Sequence, residues 1–393
     1  LVGRLFAGGA RLYLASIAVA MILFSNIDIM SIICASFIMM ALGFLVTFMG
    51  GIRSVIWSDL FQFIIYGLSA IIILVFLWYQ IPSSGTDIIN GLKVSPNGVN
   101  KLRLFNFDMD FSNPWAMISI LTGSILLYIG SFGLDQDITQ RLLTCKNSYE
   151  GGRALLISAI VAIPVIWLFV SIGQLLHIFY ERPDLMSTDY VGNKNNGFQG
   201  ENITIFMFYI LNELPAGLKG FVTVGVIAAA VSTINSGLNS MSSVIIQDFF
   251  RPWMDRKCIK PEVYYVVSSQ ISMGIVGVAL FLMSVLCYYW QHYSDMPLVT
   301  FALSVMVFAY SGLLGVYFTV VFTNRGSPTS VICALGIGFF VTLIQQSYLV
   351  DLLGLPSSWK DLAFTWQLCI GTGLSFLVCQ LGNQNIPVSL EEE

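Results

Sequence analysis

Apolar runs of 18 or more residues follow one another along this chain, almost free of charged side chains, and they limit what it can fold into. Each is long enough, at 1.5 Å per helical residue, to cross a hydrocarbon layer of about 30 Å. Of the 393 residues, 56% are apolar and 10% charged, where a soluble domain carries about 25% charged. The interior of a soluble fold grows too slowly with size to hide that much apolar surface. Lipid accepts it, provided every backbone amide bonds within the protein, which leaves helices or a closed barrel. The runs lack the alternation of a barrel strand, so an all-α polytopic membrane protein is expected. The net charge of −4 is spread over loops and says little about partners beyond the bilayer; no nucleic-acid partner is expected.

Ten spans are expected in a single transmembrane domain, at about 5–27, 30–49, 55–79, 114–134, 154–179, 216–247, 263–288, 297–322, 328–349 and 363–382. Turn signals separate them: Gly50-Gly51, Ser112-Asn113-Pro114, Pro261, Pro297 and Gly326-Ser327-Pro328. The segment 202–213 is too short to span and is expected as an amphipathic helix at the outer surface. With the first helix leaving the cytoplasm, short inner loops collect eleven of the 18 basic residues, from Arg4 and Arg53 to Lys260 and Arg325. Outer basic residues such as Lys93 and Lys194 lie mostly in long loops, which count for less. The C-terminus, with Glu391, Glu392 and Glu393, then falls in the cytoplasm. The first residue is Leu1, inside an apolar pattern, so a fragment without its natural N-terminus is expected. Seven cysteines are scattered singly, without metal-ligand spacing, and imply no disulfide framework.

Polar residues inside such runs are costly and are the first candidates for function. Asp59 lies in "SVIWSDLFQFIIYG", six residues past Arg53; it is either a functional carboxylate or an interfacial one reaching water or Arg53. In "GFVTVGVIAAAVSTINSGLNSMSSVIIQD", Ala229, Ser232, Thr233, Ser236 and Asn239 recur at three- and four-residue steps and share one helix face. Their oxygens suit a hard cation such as Na⁺, and the same spacing of small residues also suits close helix packing. In "YIGSFGLDQDITQRLLTCKN", Gly130 and Gly133 weaken a helix, and a discontinuous helix at 128–133 would expose backbone groups to a solute. Asp135, Gln136, Asp137, Gln140 and Arg141 crowd its cytoplasmic end. Arg11 is alone in an apolar helix, with no acid downstream before Asp28. Its planar fork fits a carboxylate, and its length also lets it snorkel to the interface. His177 and His292 are far apart, and no phosphate-binding loop, nucleophile elbow or zinc motif occurs, so an enzyme is not expected.

Three of these segments together resemble the sodium/solute symporter family, which includes sodium-coupled sugar and sialic-acid transporters. "MGGIRSVIWSDLFQ" is similar to its fifth core helix, "DQDITQRLLTCKN" to the end of its sixth, and the 220–248 segment to its eighth. The resemblance implies an inverted-repeat, leucine-transporter-like helical bundle, here lacking its first two core helices. It implies a Na⁺ site using Ala229, Ser232 and Thr233, and a second using Asp59, Asn235 and Ser236, where Asn235 replaces the usual Ser or Thr. By the same likeness Arg11, Tyr128, Ser131 and Phe132 fall at solute-contacting or gating positions.

The function expected is therefore a Na⁺-coupled symporter importing a small polar organic solute by alternating access. Na⁺ is the coupling ion and no other cofactor is expected. Arg11 tilts the solute toward a sugar acid or other organic anion. The alternatives are a symporter-like membrane sensor module and a proton-coupled transporter of a neutral sugar.

Overall fold

The apolar runs fold as helices, and no strand occurs among the described residues. The computed structural model describes residues 1–94, 100–186, 204–258, 260–294, 296–356 and 359–382, with the backbone alone for 49–53. The Arg53 side chain, Lys194, residues 202–203 and Glu391, Glu392 and Glu393 lie outside the described residues.

Helix α1 spans Val2–Phe24 and ends where Ser25 turns left-handed, at φ 56°. Helix α2 runs over Ile29–Gln80. Across Gly50-Gly51, where a turn is expected, the backbone keeps its helical pattern. A glycine costs a helix only about 1 kcal/mol, and α2 contains no proline to force an exit. On either side, Ile29–Phe48 and Ser54–Gln80 each remain long and apolar enough to cross a bilayer. Helix α3, Gly85–Lys93, starts where the Ser84 hydroxyl accepts from the Asp87 amide, inside a stretch read from the sequence as loop.

The run expected at 114–134 is built from α4 (Met117–Ser119), a π-helical turn (Ile120–Ser124) and α5 (Ile125–Gly133). The chain then breaks, and α6 (Gln136–Leu142) leaves at 49°. The discontinuity is thus at Leu134-Asp135, just beyond the 128–133 segment where the glycines placed it. Gly130 serves close packing instead: a Cβ there would stand 2.8 Å from the Tyr310 ring.

Helix α7 (Ser148–Glu181) is capped by Asn147, whose side chain accepts from the Glu150 amide at 2.8 Å. Helices α8 (Ile205–Glu213) and α9 (Ala216–Val244) follow; α9 continues through a π-helical turn into α10 (Arg251–Asp255). Next come α11 (Glu262–Ser294) and α12 (Leu298–Phe322). Helix α13 (Pro328–Ile344) opens on a Ser327–Ser330 capping box and bends by 81° into α14 (Ser347–Leu353). Helix α15 is Phe364–Gln380; its 17 residues reach about 26 Å, a turn short of a full crossing. Among the described residues seven helical segments are long and apolar enough to span, and nine if each bent pair counts as one.

The chain divides into two compact units. One gathers Leu1–Arg11, Phe105–Thr139 and Leu282–Glu393. Its core includes Ala7, Leu127, Val307, Tyr310, Leu314 and Leu368. Helices α12 and α13 touch backbone to backbone there, since a Cβ on Gly338 would stand 2.4 Å from the Gly312 nitrogen. The other unit gathers Leu12–Leu104 and Gln140–Phe281. Its core includes Ile73, Leu77, Ile172, Ile178, Tyr209 and Ile210. Helix α8 packs one face into this core: Tyr209 and Ile210 are fully buried, the Tyr209 hydroxyl donates to Gln80 Oε1 at 2.6 Å, and Asn212 on another face is exposed.

Candidate functional site

Asp59 is the one carboxylate of α2, the sixth residue of its second apolar segment, Ser54–Gln80, and a charge there needs partners. It has two. Ser232 Oγ donates to Oδ1 at 2.6 Å, and Arg141 Nη2 donates to Oδ2 at 2.7 Å. The Asp59 side chain is 12% exposed and that of Arg141 36%. The resemblance groups Asp59 with Asn235 and Ser236; the α9 side chain hydrogen-bonded to it is Ser232. Ser236 Oγ turns back to the Thr233 carbonyl at 3.2 Å, and Thr233 Oγ1 to the Ala229 carbonyl at 3.3 Å. Such back-bonding is the ordinary resting state of a helical hydroxyl. Ala229 lines a cavity of about 190 Å³ with Tyr66, Ser69 and Gly225.

Asn235 lies between these hydroxyls in sequence and is fully buried. Neither its Oδ1 nor its Nδ2 has a hydrogen-bond partner among the described residues. A buried amide left unpaired costs about 1–3 kcal/mol, so this one calls for a ligand or a reason. Helix α2 comes close at this level because Gly43 has no side chain. A Cβ there would stand 2.7 Å from Ile234 Cγ2 and 3.2 Å from Asn235 Oδ1. Carboxylate, hydroxyl and amide oxygens of this kind fit a hard monovalent cation. Among the described residues no group of three His, Cys, Asp or Glu has metal-holding geometry, and the two histidines belong to different units.

The residues expected at the solute belong to the other unit. Arg11, half-buried on α1, forms no ion pair among the described residues, yet Arg4, Asp135, Asp137 and the Tyr310 hydroxyl are close enough to act on it electrostatically. Ser131 lies near the same Tyr310 hydroxyl, so Arg11 and Ser131 share one neighbour. Tyr128 and Phe132 stack on each other along α5, with centroids 6.2 Å apart, and Tyr128 is largely exposed. What the sequence reading missed is Arg4, which it counted as an ordinary inner charge. Its Nη1 lies 2.5 Å from Asp135 Oδ2 and its Nη2 3.0 Å from Asp137 Oδ2, with Tyr310 donating to Asp135 at 3.2 Å. The signal was present: Arg4 and Arg11 are seven residues apart and so fall on one helix face.

Comparison with known proteins places this architecture. The profile of the "Sodium:solute symporter family" matches residues 10–332. The sodium/sialic acid symporter of Proteus mirabilis is 26% identical over 301 residues, which are 76% of this chain and 56% of that protein. The sodium/sialic acid symporter of Aliivibrio fischeri is 23% identical over 68% of this chain and 50% of its own length. A sodium-coupled monocarboxylate transporter 2 of Danio rerio is 24% identical over 77% of this chain and 46% of its own. The chain thus spans about half the length of the curated relatives it matches. A solved structure of a substrate-bound, outward-open Na⁺-coupled sialic acid symporter superimposes with a TM-score of 0.74 at 20% identity, over 98% of this chain and 74% of that one. The likeness bears out the leucine-transporter-like helical fold. With the profile covering most of its length, the chain belongs to the sodium:solute symporter family.

Proposed function

We propose that this protein is a Na⁺-coupled symporter that imports a small organic anion, a sugar acid or a monocarboxylate, by alternating access. The observation that supports it best is the oxygen cluster around Asp59: an intramembrane carboxylate bonded to Ser232, with the unpartnered Asn235 amide one turn along α9. A hard cation that sheds water takes oxygen ligands. Ala229, Ser232 and Thr233 hold one ion, and Asp59, Asn235 and Ser236 the other. Ser232 links the two through its bond to Asp59. Arg141 already neutralises that carboxylate, so a Na⁺ entering there competes with a tethered guanidinium. Ion binding favours the outward-open state, and the difference in affinity between states couples the gradient to the solute. About ten segments cross the membrane, with the C-terminus in the cytoplasm.

The named relatives carry sialic acid or monocarboxylates, both of which present a carboxylate. Arg11 offers the bidentate fork such a group needs. Tyr128, Ser131 and Phe132 line the same solute. The test is competition: sialic acid displaces a labelled substrate from the protein in Na⁺, and its methyl ester does not. Arg11→Lys weakens binding of the acid, because a point charge cannot replace the fork. Equal displacement by acid and ester would leave Arg11 an interfacial anchor.

A further inference from the structure

We infer that Arg4 is a specificity-determining residue of the solute site, acting by holding Asp135 and Asp137 away from Arg11. The inference rests on the reading of Arg11 as the carboxylate receptor. Arg4 and Arg11 are seven residues apart on α1, about 20° short of two full turns and about 10.5 Å apart along the axis. They therefore look toward the same neighbours. Those neighbours include two carboxylates at the break between α5 and α6, and both act electrostatically on Arg11. A guanidinium that has closed on an internal carboxylate no longer offers its fork to a solute.

Arg4 prevents that closure. Each of its terminal nitrogens takes one acid, Nη1 on Asp135 and Nη2 on Asp137. Asp135 is fixed from two further sides: Tyr310 donates to Oδ2 at 3.2 Å and the Asp137 amide to Oδ1 at 3.0 Å. The cluster is nearly dry, with the Arg4, Asp135 and Asp137 side chains 11%, 6% and 19% exposed. In such surroundings a carboxylate released from Arg4 takes the nearest cation instead of water. For Asp135 that cation is Arg11, on which it already acts. A planar fork aims its donors at two acids in fixed directions, which a rotatable ammonium does less well. Arg4 does not touch the solute; it is a positioning residue.

The test titrates the purified protein, in Na⁺, with sialic acid and with its methyl ester. Arg4→Gln is expected to weaken binding of the acid by about tenfold, the loss of one charge-assisted pair, with the ester unmoved. The triple variant Arg4→Gln, Asp135→Asn, Asp137→Asn is expected to bind the acid as the unmodified protein does, because nothing is left to close on Arg11. A merely structural role for Arg4 would give no such rescue. Because Arg4→Gln leaves two buried acids and can fail to fold, Arg4→Lys is carried in parallel, with a smaller loss in the same direction. Labelling of Arg11 by phenylglyoxal, read by mass spectrometry, needs no solute: it should fall in Arg4→Lys and recover in the triple variant. Unchanged acid binding and labelling in Arg4→Lys, or a triple variant as weak as the single one, overturns the inference. If Arg11→Gln leaves the preference for acid over ester intact, the reading of Arg11 fails instead.

Discussion

The Asp59 carboxylate is where the account is most exposed to experiment, because three groups claim it: Ser232, Arg141 and the proposed ion. Arg141→Gln removes the competing cation and should lower the Na⁺ concentration needed for half-maximal binding. Arg141 is more than a third exposed, so the gain is modest, about 1 kcal/mol or some fivefold. Ser232→Ala should move the same quantity the other way, since it removes an oxygen from the ion and a donor from Asp59. A Na⁺ titration of solute binding reads both. Equal Na⁺ dependence in the two variants and the unmodified protein would remove Asp59 from the ion's coordination. At this scale the sequence was informative about residue types and poor about partners. It picked out Asp59 and the α9 stripe, but not that Ser232 is the hydroxyl bonded to Asp59, because helical spacing gives a face and not which hydroxyl on it reaches across. Arg4 was missed because a charge near a helix end looks like a loop charge until its acids, more than a hundred residues away in sequence, are seen beside it.

Among the elements, α2 offers two glycines with opposite roles. Gly43 faces α9, and a methyl there would press on Ile234 and Asn235; Gly67 has nothing within 4 Å of where its Cβ would be. Gly43→Ala should therefore destabilise the protein by about 1–3 kcal/mol through overpacking. Gly67→Ala should stabilise it by up to about 1 kcal/mol, the helix propensity gain alone. Thermal unfolding in one detergent reads both, and two shifts of the same sign would contradict the contact. The elements were legible where apolar length decides, as in α1, α7, α11 and α12. They were illegible where the sequence speaks through glycine. Gly50-Gly51 reads as a turn, and the backbone keeps its helical pattern there, while Gly43 and Asp59 on either side both meet α9 within 232–235. Gly130 looked like a break and is a packing surface for Tyr310, with the chain opening at Leu134-Asp135 instead. The length of α8 shows that it is too short to span, and says nothing about which of its residues, such as Tyr209, is buried.

Over the whole molecule, the outer faces of the helices carry large apolar side chains, such as Trp167, Ile163 and Phe322, more than half exposed, which only lipid can cover. The proposed sidedness puts Cys258, exposed just past α10, in the cytoplasm. A membrane-impermeant maleimide should label it in inside-out vesicles and spare it in right-side-out ones, and the reverse pattern would invert the topology. The claim on which everything else depends is that a Na⁺ gradient drives the solute. Its most direct measurement is uptake of labelled sialic acid into proteoliposomes at fixed pH, with external Na⁺ or with choline in its place. The account predicts accumulation against the solute gradient in Na⁺ and none in choline. Equal accumulation in choline, or accumulation that follows an imposed pH gradient without Na⁺, would contradict it.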